Sequence, residues 1–249
     1  MSSATFIDDT GMKTYVPLEN NPDVMTQLAH RLGASTALSF YDIYSMDEDV
    51  LNFIPRPAHA LIFIAHADAF FKTRDEENNG MSEYDGCGAD EPVLWIKQTI
   101  GHTCGLMALL HSMANGGARE SIVPGSLADR LFRAAVPLKP KERAKLLYDS
   151  EELELIHQEY AQKGDSAAPS AADPNELHFI SFVKADDNHL WELNGGMKGP
   201  VDRGELGQDL DVLSEKALDL GPKAFLRAAK EHGMSDIRFS IIAMAPTLE

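Results

Sequence analysis

Cysteine is scarce in this chain of 249 residues: only Cys87 and Cys104 occur. That scarcity excludes a disulfide framework and the paired CxxC spacings of structural zinc sites. Basic residues are also few, 22 Lys and Arg against 39 Asp and Glu, for a formal net charge of −17. A chain so poor in positive charge is not built to neutralise nucleic-acid phosphates or to tether itself to an anionic membrane. Long apolar runs are missing too. The most apolar stretch, Ala58 to Phe71, has 14 residues and includes His59, His66 and Asp68, too short to span a bilayer. The opening MSSATFIDDTGM has neither a basic start nor an apolar core, so no secretory signal is expected. These absences predict a soluble, cytoplasmic chain with reduced thiols, no nucleic-acid partner and no membrane partner.

What is present is ordinary for a folded globule, 44% hydrophobic and 24% charged, and the length suits one large domain over 1–249. An acidic surface favours a basic partner, because complementary potentials steer encounter. Between Asn21 and Gly33 a helix is predicted, with Asn21 as cap, Pro22 at the first position, and Val24, Leu28 and Leu32 recurring every four residues. Segments 38–44 and 60–66 read as strands, the second (ALIFIAH) apolar enough to be central. Residues 73–92, with three glycines and seven acidic side chains, read as an exposed loop. Residues 104–114 (CGLMALLHSMA) read as a helix apolar on nearly every side, hence buried. Ser126 and Asp129 fit a capping box for a helix to about Ala135, and 140–163 reads as one or two charged, solvent-facing helices. Gly164 to Asn175 is small, polar and proline-containing, so mobile. A hairpin of 177–185 and 189–194, a helix at 222–232 and a last strand at 237–244 complete an α+β order.

Cys104 is the sharpest chemical feature. It opens the apolar helix, where unpaired backbone N–H groups and the helix dipole favour a thiolate, the nucleophilic form. A buried structural cysteine is the bland alternative. A nucleophilic thiol needs an imidazole. His102 is too near in sequence to fold back on the sulfur, and His111 lies two helical turns away, roughly 10 Å along the axis. His178, inside the apolar run LHFISFV, and His189, beside a turn, remain; a satisfied core histidine and a surface histidine are their bland readings. Asn194 is placed to orient an imidazole by accepting its Nδ1–H, or is simple turn chemistry before Gly195-Gly196. Gln98 is placed to donate its amide to an oxyanion beside the Cys104 N–H, or is a surface glutamine.

Taken together these residues resemble a family. QTIGHTCGLMALLHSMAN (98–115) resembles the active-site signature of the ubiquitin C-terminal hydrolases, small papain-like cysteine deubiquitinases: a glutamine, five residues, Cys-Gly, an apolar helix and a histidine seven after the cysteine. The resemblance runs along essentially the whole chain, through YVPLENNPDVMTQLAHRLG (15–33), YDIYSMDEDVLNFIPRPAHALIFI (41–64), LHFISFVKADDNHLWELNGGMKGPVDRG (177–204) and IRFSIIAMA (237–245).

The resemblance implies a papain-like α-β-α sandwich about a central antiparallel sheet, with a knotted backbone. It implies Cys104 as nucleophile, His178 as general base, Gln98 as oxyanion donor and Asn194 as the imidazole's partner, with no metal or organic cofactor. Asn194 falls where the family usually has aspartate, and His102 and Thr103 depart from its usual Asn and small residue before the cysteine. The stretch near 150–175 corresponds to a crossover loop that gates the site. Ubiquitin is the implied partner, and Glu19, Asp23 and Asp42 match acids that the family sets against it; the family also suggests a monomer. A ubiquitin-like modifier with a similar tail is the enzymatic alternative. The other is a ubiquitin-binding chain whose catalysis has lapsed through the three departures, against which the joint presence of Cys104, His178 and Gln98 argues.

Overall fold

The run ALIFIAH carries apolar residues at both odd and even positions, which demands cover on both faces of one strand. The computed structural model, which describes residues 5–7, 11–173, 175–234 and 237–248, supplies that cover. Its elements in chain order are β1 (Thr5–Ile7), β2 (Lys13–Tyr15), α1 (Pro22–Leu32), β3 (Leu38–Asp42), α2 (Glu48–Leu51), β4 (Ala60–His66), α3 (Ala67–Gly80), α4 (Cys104–Ala114) and α5 (Gly116–Glu120). Then follow α6 (Leu127–Ala135), α7 (Pro140–Tyr148), α8 (Glu151–Tyr160), β5 (Leu177–Lys184), β6 (His189–Leu193), β7 (Val201–Glu205), α9 (Glu215–Leu220), α10 (Pro222–Glu231) and β8 (Phe239–Pro246).

Six strands form one antiparallel sheet in the order β3-β8-β4-β5-β6-β7. Ala60, Ile62 and Ile64 of β4 join a core with α1, α4 and α6, while Leu61, Phe63 and Ala65 join a second core with α3, α9 and α10. Helices thus cover both faces of a central antiparallel sheet, the papain-like α-β-α arrangement. In β5 the same alternation sends Phe179 and Val183 to the first core and Ile180 and Phe182 to the second. This parity decides which way His178 faces.

The elements anchoring that layout form for local reasons. Asn21 Oδ1 accepts from the N–H groups of Asp23 (2.9 Å) and Val24 (3.2 Å), capping α1. Ser126 caps α6 by accepting from Asp129 N–H, but the Asp129 carboxylate reaches Gly125 N–H rather than the cap residue's own. All eleven residues of α4 are buried, as its apolar circumference requires.

Five expectations need correction. Residues 73–80 are not loop: they are the second half of α3. Its charges misled because Arg74 is turned inward onto buried Glu192, and Glu77 onto Arg203. Helices α7 and α8 do not simply face solvent, since Arg143, Leu147, Ile156, His157 and Tyr160 are buried. Strand β3 stops at Asp42, and the last strand lies two residues later than expected, pairing Leu38–Asp42 against Ile242–Pro246. The stretch 164–175, expected to be mobile, is fastened at its start by hydrogen bonds to Glu19. Pro174, and part of the opening segment read for a signal, lie outside the described residues.

Candidate active site

The loop that delivers Cys104 is stitched to β2. Tyr15 N–H donates to the Gly101 carbonyl at 3.1 Å, and Gly101 N–H to the Lys13 carbonyl at 2.8 Å. The approach is close enough that a Cβ on Gly101 would sit 2.5 Å from the Thr14 hydroxyl oxygen. His102 follows in the left-handed region (φ 59°), a conformation in which Asn and His are enriched, so this departure suits the turn as the usual Asn would. Thr103 is buried and its hydroxyl donates to the Ile100 carbonyl at 2.7 Å, tightening the same turn. Both departures are therefore compatible with the loop that presents the thiol.

Cys104 begins α4 as expected, but it is only 4% exposed. Burial pushes the thiol above its usual pKa, against the opposing pull of the Phe179, Gly105 and Cys104 backbone groups. Burial thus opposes the thiolate that the helix start was expected to favour, and the sulfur points to the Leu177 carbonyl oxygen at 3.9 Å. His178 lies between the two residues whose backbone the sulfur meets. Its ring takes the second-core parity and packs edge-on to Phe70, with centroids 5.0 Å apart. Burial holds His178 below the usual imidazole pKa, opposed by the Asn194 hydrogen bond and the Glu192 charge.

Asn194 Oδ1 lies 3.0 Å from His178 Nε2 and accepts the Gly196 N–H at 2.9 Å. One amide oxygen can make both contacts, because it has two lone pairs. The ring atom differs from expectation: Asn194 engages Nε2, not Nδ1. Donation from Nε2–H fixes the tautomer that leaves the Nδ1 lone pair free. Gln98 lines the same cavity as His178 and Asn194. Its backbone N–H donates to Gly195 O at 2.8 Å, and its side-chain amide donates to Ile100 O at 3.1 Å.

Several residues that sequence reasoning passed over hold these groups in place. Ile96 N–H donates to His111 Nε2 at 3.0 Å, and burial lowers that imidazole to a pKa of about 4, so it remains a neutral acceptor. Asn115 pairs with both backbone groups of Leu94, accepting at 2.7 Å and donating at 3.1 Å. Trp95 Nε1–H donates to the Asn194 carbonyl at 3.1 Å. Segment 94–98 is thereby fixed between α4 and the end of β6. Behind His178, Glu192 is fully buried and receives both Arg74 (3.0 and 2.9 Å) and Arg203 (2.8 Å). Burial alone would raise the Glu192 pKa, but the two guanidinium groups hold it down, so it stays charged. The one available clue to this network was charge in a helix next to an apolar run.

The three acids are not alike. Glu19 accepts from Asp165 and Ser166 of the 161–173 segment. Asp23 and Asp42 line a groove of about 610 Å³ with the exposed side chains of Tyr44 and Phe53. Among the described residues no group of His, Cys, Asp and Glu is arranged to hold a metal ion, and no helix is long and apolar enough to cross a membrane.

Comparison with known proteins defines the class. Residues 15–220 match the family model described as ubiquitin carboxyl-terminal hydrolase, family 1, and the chain belongs to that family. Among its relatives, a ubiquitin carboxyl-terminal hydrolase of Aplysia californica is 33% identical over 198 residues, covering 78% of this chain and 88% of the relative. Isozyme L1 of the enzyme from Monodelphis domestica is 31% identical over 232 residues, covering 92% of this chain and 96% of the other. The solved catalytic domain of Trichinella spiralis UCH37, bound to ubiquitin vinyl methyl ester, shares the fold with a TM-score of 0.68 at 21% identity, covering 93% and 95% of the two chains. The chain is a cysteine-type ubiquitin C-terminal hydrolase, a deubiquitinase.

Proposed function

We propose that Cys104, His178, Asn194 and Gln98 carry the hydrolysis of amide, thioester or ester bonds after the C-terminal glycine of ubiquitin. His178 Nδ1 takes the proton of the Cys104 thiol, and the sulfur attacks the glycine carbonyl. The oxyanion is held by the Cys104 N–H at the start of α4 and by the Gln98 amide, which has a second N–H beyond the one given to Ile100. His178 then protonates the leaving group, and water hydrolyses the thioester by the reverse sequence. The observation carrying this reading is the His178 Nε2–Asn194 Oδ1 contact at 3.0 Å, because it frees Nδ1 to act as base. Burial disfavours the charged forms of both the Cys104 thiol and the His178 imidazole, so proton transfer awaits the substrate.

The segment between α8 and β5 serves as the gate over this site, and Glu19, Asp23 and Asp42 face the basic tail of ubiquitin, Arg-Leu-Arg-Gly-Gly. The whole chain acts as one domain and as a monomer. A reduced nucleophilic thiol and two free cysteines suit the cytoplasm. The test is turnover of ubiquitin bearing a C-terminal fluorogenic amide, with Cys104→Ala, His178→Ala and Gln98→Ala beside the native chain. Loss of turnover to background in the first two, and a fall of about a hundredfold in the third, are expected. Full activity in Cys104→Ala would overturn the assignment.

A further inference from the structure

His178 has its open side in a cavity of about 380 Å³ that contains Gln98 and Asn194 but none of the three acids. Its neighbours in β5, Leu177 and Phe179, line a different cavity, of about 450 Å³, with Glu19 and residues of the 161–173 segment. The site therefore has two approaches: one beside the 161–173 segment, where Glu19 shares the lining with Lys163 and Arg238 and, through Asp165, adjoins the groove of Asp23 and Asp42, and the other on the α3 side of the imidazole. Resting on the assignment above, the chemistry tells them apart. Cys104 sulfur bonds to the glycine carbonyl carbon, the carbon–nitrogen bond breaks, and the proton removed from the thiol passes through His178 to the departing nitrogen. A thioester and a neutral amine result. The departing nitrogen must lie within reach of the imidazole's accessible side, and the basic tail belongs with the acids.

We propose that the α3-side cavity is a leaving-group subsite that selects an apolar side chain on the residue following the scissile bond. Its walls are Phe70, Phe71 and Met197, and Phe71 is 67% exposed on a protein that buries most of its large apolar residues. Arg74, the cation of the lining, is committed to Glu192 at 2.9 Å, so it offers little to an acidic leaving group. Asp75 adds negative charge at the rim and disfavours one further. Gly196, whose missing Cβ would come 3.8 Å from His178 Cε1, leaves space beside the imidazole open to a side chain.

The experiment compares ubiquitin extended by Leu-Lys with ubiquitin extended by Gly-Lys, reading kcat/KM for release of the dipeptide. The native chain should favour leucine about tenfold, the scale of a partly buried aliphatic group. Phe71→Ser should bring the ratio close to one, and Phe71→Leu should restore most of it. Phe71 is exposed, so neither substitution threatens folding. A native ratio near one, or a ratio unmoved by Phe71→Ser, overturns the subsite while leaving the hydrolase reading intact. A chain inactive on both extensions and on the fluorogenic amide overturns both.

Discussion

Glu19 gives a measurable handle on the segment proposed as the gate. Its carboxylate accepts from the N–H groups of Asp165 (3.1 Å) and Ser166 (3.0 Å) and from the Ser166 hydroxyl. Gly164 stands at φ 134° with its missing Cβ directed at the same carboxylate, 2.6 Å from Oε2, so the contact is built around a glycine. Glu19→Ala removes the three bonds it accepts from this segment. Charge-assisted bonds reach about 1.5–3 kcal/mol when buried, but solvent screening at this half-exposed carboxylate reduces each to about 0.5 kcal/mol. The sum, about 1.5 kcal/mol, raises the population of the released segment roughly tenfold. Lys163 precedes Gly164, so limited trypsin digestion at that bond reports the released population. An unchanged cleavage rate in Glu19→Ala refutes the latch. Gly164→Ala should release it as well.

The pH dependence follows from the same contacts. Burial tends to raise the Glu19 pKa, but bonds from Ser166, Asp165 and Asn21 outweigh it and hold the carboxyl below its usual range. A lowered pKa means the fastening is complete above the ordinary carboxylate pKa and is lost as pH falls through the depressed value. Amide resonances of Asp165 and Ser166 should therefore titrate together below the usual glutamate range; titration at the ordinary value would refute this.

Other outcomes are as specific. Cys104, a buried thiol, should react with iodoacetamide at pH 7 at least tenfold more slowly than exposed Cys87, while a ubiquitin C-terminal electrophile reverses the order; peptide mapping reads both. Glu192→Ala leaves the inward-facing Arg74 with only Glu77, at 3.8 Å, and strips Arg203 to its Glu77 pair, and should cost about 3–5 kcal/mol, seen as a thermal midpoint lower by about 10 °C. Asn194→Asp should raise the His178 pKa and extend activity to more alkaline pH, whereas Asn194→Ala should lower turnover tenfold to a hundredfold at every pH, a loss of about 1–3 kcal/mol; profiles over pH 5–10 decide.

The sequence made legible whatever depends on one segment at a time. The strand at 60–66, the buried helix at 104–114 and the capped helix after Asn21 declared themselves through apolar spacing and cap chemistry. Helix α3 did not, because its charges are satisfied by partners over a hundred residues away. The same distance hid the purpose of His111 and Asn115, whose partners are backbone groups of an irregular segment that no periodicity marks. Cys104, His178, Gln98 and Asn194 were legible as a set only through resemblance. Even then spacing could not tell which ring nitrogen meets Asn194, since strand parity and the Phe70 contact decide that.

The Asn194 departure is best understood through what surrounds it. An aspartate in this place would supply an acceptor and a negative charge, and only the acceptor is essential for choosing the tautomer. Asn194 keeps the acceptor, and its carbonyl is fixed by Trp95 while its side chain is fixed by Gly196 N–H, so the imidazole is held without a carboxylate. Two residues earlier, buried Glu192 already acts on His178 in the direction that a carboxylate at 194 would, raising its pKa against burial. Arg74 and Arg203 keep Glu192 ionised and, as opposite charges beside it, offset its field at His178. Neutralising Glu192 would therefore lower the His178 pKa only slightly, whereas charge added at 194, directly against Nε2, would raise it markedly. The position of the charge, more than the number of charges nearby, sets the basicity of His178.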